Sequence, residues 1–193
     1  MNSRTKNRFK LIFITSLFAL PVMTAWLVFS NPQWLEGGKT KNYGELISPA
    51  IPSNIADFVT KAADDDINSL KGRWIMVHLD FDANCSAACE KSVHMLKQLH
   101  TLLNKDSKRL RRVYFHKSDG KINSSLADDA KLSVFLWNAE RIQKLTALVQ
   151  DAVDGDVLLL DPLGNIMMKY HEDADPYGIQ KDLKLLFKAS QIG

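Results

Sequence analysis

The chain carries two cysteines, Cys85 and Cys89, four residues apart in the stretch "HLDFDANCSAACEKSVHML" (78–96). An apolar run ends just before them, and helical periodicity begins with them. Residues at i and i+4 lie on one face of a helix. A helix N-terminus favours the thiolate, because its unpaired N–H groups and dipole stabilise negative charge. Thiolate is both the nucleophile of disulfide exchange and the soft ligand that selects Cu(I). Three readings stay open at this level: a copper site, a redox pair, or a structural disulfide. The loop such a disulfide closes is too short to stabilise the fold much through chain entropy. No Ser-His-Asp order, phosphate-binding glycine loop or zinc signature appears elsewhere.

The elements that must position the pair can be read from periodicity. Gly72 precedes "RWIMVHLDF", a short apolar run expected to be a buried strand. From Ala87 to Leu103, Val93, Leu96, Leu99, Leu102 and Leu103 recur at helical spacing. "RRVYFH" (111–116) reads as a second strand, and 117–130 as a polar loop. "NAERIQKLTALVQDAV" predicts an amphipathic helix. "DVLLLDPLGNIMMKYH" predicts a hairpin whose turn has Pro162 second and Gly164 fourth. "YGIQKDLKLLFKAS" predicts a closing helix. Helices alternate with strands and the chain ends on a hairpin and helix, so the fold class is α/β, in thioredoxin-like order.

Charge is unevenly placed. The net charge is +3, yet residues 1–10 hold Arg4, Lys6, Arg8 and Lys10 and no acid, leaving 21 basic and 22 acidic residues beyond them. The basic balance belongs to the N-terminal tail, which argues against nucleic acid as a partner. The cluster "KDSKRLRR" (105–112) reads as a solvated helix end. Residues 11–29, "LIFITSLFALPVMTAWLVF", carry no charge and are long enough, at about 28 Å as a helix, to cross a bilayer. Pro21 is tolerated there, and Trp26 and Trp34 suit the far interface. The organisation expected is a cytoplasmic tail (1–10), a transmembrane anchor (11–29), a stalk (30–50) and one domain (51–193), with the domain outside. That compartment is oxidising.

"KNYGELISP", "LKGRWIMVHLDFDANCSAAC" and "VLLLDPLGN" resemble the framework of the Sco/SenC proteins, membrane-anchored thioredoxin-fold copper chaperones of cytochrome c oxidase assembly. The string from Asp161 to Gly193 resembles a smaller group of Sco-related membrane proteins encoded among oxidase assembly genes. The resemblance implies that Cys85 and Cys89 occupy copper-thiolate positions. It also implies a proline after the second cysteine and a histidine before the hairpin strand; this chain has Glu90 and Gly155 there. The family's third copper ligand is therefore replaced by glycine.

Five histidines and two methionines are the available substitutes. His78 lies in the first strand, where packing or a hydrogen bond is expected. His94 sits about 140° round the helix from Cys89. His100 is expected on the exposed face, and His116 at the end of the second strand, reaching the pair only through loop placement. His171 is expected on the surface, and Met167 and Met168 in core and edge packing. General disulfide-exchange catalysis lacks its usual two-residue spacer and a proline before Val157.

The function expected is a membrane-anchored periplasmic Sco-like factor. It assists oxidase assembly by copper handling or thiol reduction at Cys85/Cys89. The alternatives are a non-catalytic interaction module with a structural disulfide and a broader thiol-disulfide oxidoreductase. The partners expected are inner-membrane lipid and an oxidase subunit or another assembly factor.

Overall fold

A computed structural model describes residues 3–31, 42–60, 64–82, 85–117, 129–190 and 192. The chain divides into two compact units, Met1–Lys41 and Asn42–Gly193.

The first unit holds one helix, α1 (Ser3–Phe29), with Pro21 inside it. Its stretch Thr5–Phe29 is long and apolar enough to cross a membrane. From Phe9 to Phe29 most of its large apolar side chains are exposed, so the described residues of the unit form no core to bury them. A helix apolar on all sides is matched to lipid rather than water.

The second unit is a mixed six-stranded sheet in the order β1-β6-β5-β2-β3-β4. The strands are β1 (Glu45–Ile51), β2 (Trp74–Leu79), β3 (Leu110–Lys117), β4 (Leu132–Trp137), β5 (Val157–Leu160) and β6 (Ile166–Tyr170). β2, β3 and β4 are parallel; β5, β6 and β1 add antiparallel. The remaining helices are α2 (Asp64–Leu70), α3 (Ala87–Leu102), α4 (Ala139–Leu148) and α5 (Pro176–Ala189), with short 3-10 turns at Ile55–Phe58 and Asn104–Arg109.

Strand alternation divides the core between the two faces of the sheet. Ile75, Val77, Leu79, Val113, Phe115, Phe135 and Trp137 meet Leu70 of α2, Leu145 of α4 and the turn residues Ile55 and Phe58 on one face. Trp74, Met76, Leu110, Val157, Leu159 and Met168 meet Leu96 and Leu99 of α3 and Ile179, Leu183 and Phe187 of α5 on the other. β2 is buried along its whole length, as expected of a strand covered on both faces.

The expected strands, helices and hairpin are all present, and the hairpin turn closes as predicted: the Gly164 N–H donates to the Asp161 carbonyl at 2.9 Å. Two strands differ from the sequence reading. β1 takes all its residues but the last, Ile51, from the stretch read as stalk; it is an edge strand whose side chains are mostly exposed, so it carries no apolar alternation to read. β4, "LSVFLW", forms the opposite edge and was assigned to no element. The cluster 105–112 also differs. Arg109 donates to the Phe187, Ser190 and Ile192 carbonyls, and Arg112 is buried against Asp129 at 3.0 Å; both tie elements together. Most of the loop read at 117–130 lies outside the described residues.

Candidate functional site

Cys85 and Cys89 are joined as a disulfide, with Cα atoms 5.3 Å apart. Ser86 caps α3 between them: its Oγ accepts from the Cys89 N–H at 3.3 Å. Cys89 therefore lies in the first turn of the helix, where unpaired N–H groups favour a thiolate. The two sulfurs are unequal in access. Cys85 is half-buried at the end of a loop, while Cys89 is 7% exposed and packs against Val93, Tyr114 and Leu132.

Beneath Cys89 the sheet turns polar. On β2 the alternation that points Trp74 and Met76 toward α3 continues through His78 to Asp80 just past the strand end. On β3 the matching positions are Arg112, Tyr114 and His116. The parallel register sets His78 beside Tyr114, and the Asp80 N–H donates to the Phe115 carbonyl, so Asp80 comes beside His116. All four residues are at most 2% exposed. This is the carboxyl end of the parallel strands, where open α/β sheets place their sites.

The carboxylate of Asp80 is the hub. Its Oδ1 accepts from the Asp82 N–H at 3.1 Å. Its Oδ2 accepts from the Tyr114 hydroxyl and lies 3.1 Å from His116 Nδ1. Trp137 Nε1 donates to the Asp80 carbonyl at 2.8 Å, fixing the backbone. The Tyr114 oxygen also lies 3.7 Å from Cys89 Sγ and 3.3 Å from His116 Nδ1. The Tyr114 ring stacks with both His78 and His116, with centroids 5.6 Å apart in each pair. Burial holds the Tyr114 phenol far above its usual pKa, reinforced by its hydrogen bond to Asp80. The phenol is neutral and serves as a donor.

His78 is pushed down to about 4 by burial, against the opposing pull of Asp80. Its Nδ1 lies 3.5 Å from Ser92 Oγ of α3. The Gly155 carbonyl approaches the ring, yet Nε2 has no partner at hydrogen-bond geometry. The Nε2 of His116 is likewise buried and unpartnered.

The other expected residues lie apart from this cluster. His94 is exposed and 3.2 Å from Gln98. His100 is partly buried rather than on the exposed face. His171 is at the surface, with Nδ1 2.9 Å from Asp156. Met168 is core and Met167 packs at its margin. His116 departs most from expectation: it needs no loop to approach the pair, because it reaches it from beneath through Tyr114. Asp80 and Tyr114 were missed by sequence reasoning. The available signal was the parity of His78 and Asp80 in an otherwise apolar strand.

Gly155 sits at φ +85°, and its N–H donates to the Leu79 carbonyl. A Cβ there would stand 2.7 Å from Glu172 Oε2 and 3.2 Å from Glu172 Cβ. A side chain at 155 thus meets both backbone strain and Glu172. Among the described residues no cluster of three or more His, Cys, Asp or Glu is arranged to hold a metal. Among the described residues the donors do not fit a three-ligand copper site: beside the two sulfurs no third group is arranged to coordinate.

A model of the transmembrane-like, thioredoxin-like C-terminal domain family matches residues 74–190, more than half of the chain. The protein belongs to that family. Among solved structures its fold is similar to apo Sco1 from Thermus thermophilus (TM-score 0.59, 12% identity, covering 78% of this chain and 100% of that one). It is also similar to a SCO1/SenC family lipoprotein from Bacillus anthracis (0.50, 21%, 62% and 84%) and to copper-bound ScoI from Arabidopsis thaliana (0.51, 13%, 64% and 89%). These likenesses establish the Sco/SenC-like thioredoxin fold. Among curated protein sequences nothing matches.

Proposed function

We propose that this is a membrane-anchored, periplasm-facing Sco-like factor that assists cytochrome c oxidase assembly by thiol–disulfide exchange at Cys85 and Cys89. The observation that carries the exchange is the disulfide itself: it opens α3 with an accessible sulfur at Cys85 and a buried one at Cys89, over a buried carboxylate. In the reduced chain the Cys85 thiolate attacks a partner disulfide, and Cys89 then attacks Cys85, closing the Cys85–Cys89 bond and releasing the partner as its dithiol. The oxidase part rests on the Sco/SenC resemblance. The partner is then an oxidase subunit or another assembly factor whose own dithiol must be kept reduced. The anchor confines the exchange to the membrane surface, raising effective concentration there.

Copper handling is the second reading, favoured by two cysteines flanking the start of α3, which once reduced would select Cu(I) over harder metals. Anaerobic Cu(I) titration of the reduced full chain in detergent, beside Cys85→Ser and Cys89→Ser, separates the two. The exchange reading expects reversible oxidation by a dithiol/disulfide couple and only weak Cu(I) binding. Tight one-to-one binding lost in both variants moves the assignment to copper. In cells, the double Cys→Ser chain should lower cytochrome c oxidase activity while accumulating normally. Full oxidase activity there would leave a docking module with a structural disulfide.

A further inference from the structure

We propose that the outer face of α3 and the rim at Asp129–Lys131 form a docking groove for an acidic, extended segment of the redox partner. This rests on the exchange reading above and deepens it by naming the chemistry of the partner. One side of the groove is a stripe along the helix: Ala87, Glu90, Lys91, His94, Lys97 and Thr101 recur at the spacing that puts side chains on one face. Two hollows run along that stripe, and they share Lys97 and Asp129, so they are continuous. Arg112 of β3 and Lys131, just before β4, line the opposite wall. From Ala87 to Thr101 the helix rises about 21 Å, which matches about six residues of extended chain. The near end adjoins the disulfide, since Val93 both lines the groove and packs against Cys89.

The groove is cationic. Lys91, Lys97, Arg112 and Lys131 line it against two acids, Glu90 and Asp129. The second acid is already neutralised within the fold. The Arg112 guanidinium donates to both Asp129 carboxylate oxygens, at 3.0 and 3.1 Å, and this pairing holds the carboxyl below its usual pKa. Lys97 Nζ stands 3.7 Å from the same carboxylate and its side chain stays 58% exposed; Lys91 and Lys131 are exposed as well. His100, at the far end, registers the field. Its pKa is lowered first by burial and then by Arg112, Lys131 and Arg111. A field that repels a proton from that ring attracts a carboxylate to the same place. Beyond residue 10 the chain holds 21 basic and 22 acidic residues, so the excess here is local.

Position gives this charge a use. Cys85 is half-buried just before α3 and Cys89 lies in its first turn, so a partner disulfide must approach at the start of that helix. An acidic segment lying in the groove holds the disulfide close to Cys85 for attack. Charged contacts of this kind speed encounter more than they prolong the complex, which suits a partner that leaves after one exchange. Anionic lipid would meet the same lysines, but it carries no disulfide for Cys85 to attack.

The test uses the reduced full chain in nonionic detergent and a probe peptide with about six Asp and Glu residues beside a disulfide-closed cysteine pair. An Asn/Gln analogue of the peptide is the control. The chain should convert the peptide disulfide to its dithiol as the Cys85–Cys89 bond closes. At low ionic strength the acidic peptide should react at least about tenfold faster than the analogue, and salt at about 0.5 M should erase the difference. Lys91→Gln, Lys97→Gln and Lys131→Gln combined should also erase it, with the rate toward uncharged hydroxyethyl disulfide unchanged. Lys91→Glu, Lys97→Glu and Lys131→Glu combined should instead prefer a lysine-bearing peptide, a reversal that a folding defect does not produce. Equal rates with both peptides, or an acidic preference that survives the triple Gln substitution, would overturn the groove and leave exchange intact. Fluorescence anisotropy of the acidic peptide with Ser for Cys reads docking alone. Binding that needs the three lysines, with no reduction of any disulfide, would overturn the exchange reading and keep the docking surface. Absence of that binding, with Lys97 and Lys131 shielded from an amine-reactive ester in phosphatidylglycerol nanodiscs, would give the face to lipid and overturn the proposal.

Discussion

A histidine sealed between α3 and the sheet is a constraint on the pH range over which the domain holds together. His78 is fully buried, and its pKa falls from 6.5 to about 4 because the charged imidazole is desolvated. The unfolded chain, with an ordinary histidine, binds the extra proton between those values. Stability from this residue is therefore present above about 6.5 and is lost as pH falls toward 4. Between pH 7.5 and 4.5 the loss is about 2–3 kcal/mol. Urea unfolding of the native chain should show that decline, and His78→Gln should flatten it; an equal decline in the variant would assign it to other groups. His78 was legible in the sequence as a strand histidine that packs. Its partner across the register, Tyr114, was not, because pairing of β2 with β3 is a tertiary fact that spacing alone does not contain. The same holds for His116: its position at a strand end was readable, its burial under the disulfide was not.

Elements differ in how loudly they announce themselves. β2, α3, the hairpin and α5 carry apolar periodicity because each buries a face, so their positions were readable. β1 and β4 are the two edges of the sheet. β1 in particular is held by its backbone pairing to β6 and by the segment that leads into it, neither of which leaves a pattern in residue types. That segment is fixed by one residue of α5. The Asp182 carboxylate accepts from the Tyr43 N–H at 2.9 Å, the Gly44 N–H at 3.0 Å and the Tyr170 hydroxyl at 3.3 Å, and is 2% exposed. The fit around it is close: a Cβ at Gly178 would stand 2.4 Å from the Tyr43 ring. Asp182→Ala leaves two backbone donors and a buried phenol without their acceptor. The expected cost is about 2–3 kcal/mol, read as a lower denaturation midpoint. Hydrogen exchange should localise the loss to residues 43–51. Unchanged protection of β1 would mean that pairing with β6 alone holds the edge.

At the scale of the whole chain, two units with opposite surface chemistry are joined in sequence. The domain hides its apolar side chains in two layers, whereas α1 exposes Leu11, Phe13, Leu17, Phe18, Trp26 and others around its circumference. At about 1.5 Å per residue the Thr5–Phe29 stretch spans about 37 Å, enough for a bilayer core with some tilt. Four cations and no acid precede residue 11, and such an excess is retained on the cytoplasmic side. In the orientation proposed above, the domain and its disulfide face an oxidising compartment, where a half-exposed Cys85 is expected to be paired. Two measurements check this arrangement together. The full chain should stay with the membrane through an alkaline carbonate wash, at the mass of the uncleaved polypeptide. After mild reduction of intact spheroplasts, a membrane-impermeant maleimide should label Cys85, and should fail to do so in Cys85→Ser. Replacing Arg4, Lys6, Arg8 and Lys10 by Gln should place part of the population with the domain inside, lowering labelling in proportion. Release by carbonate, or a shortened mature chain, would identify residues 11–29 as a cleaved leader. Labelling only after lysis would place the dithiol in the cytoplasm, and the oxidase-assembly reading would fall with it.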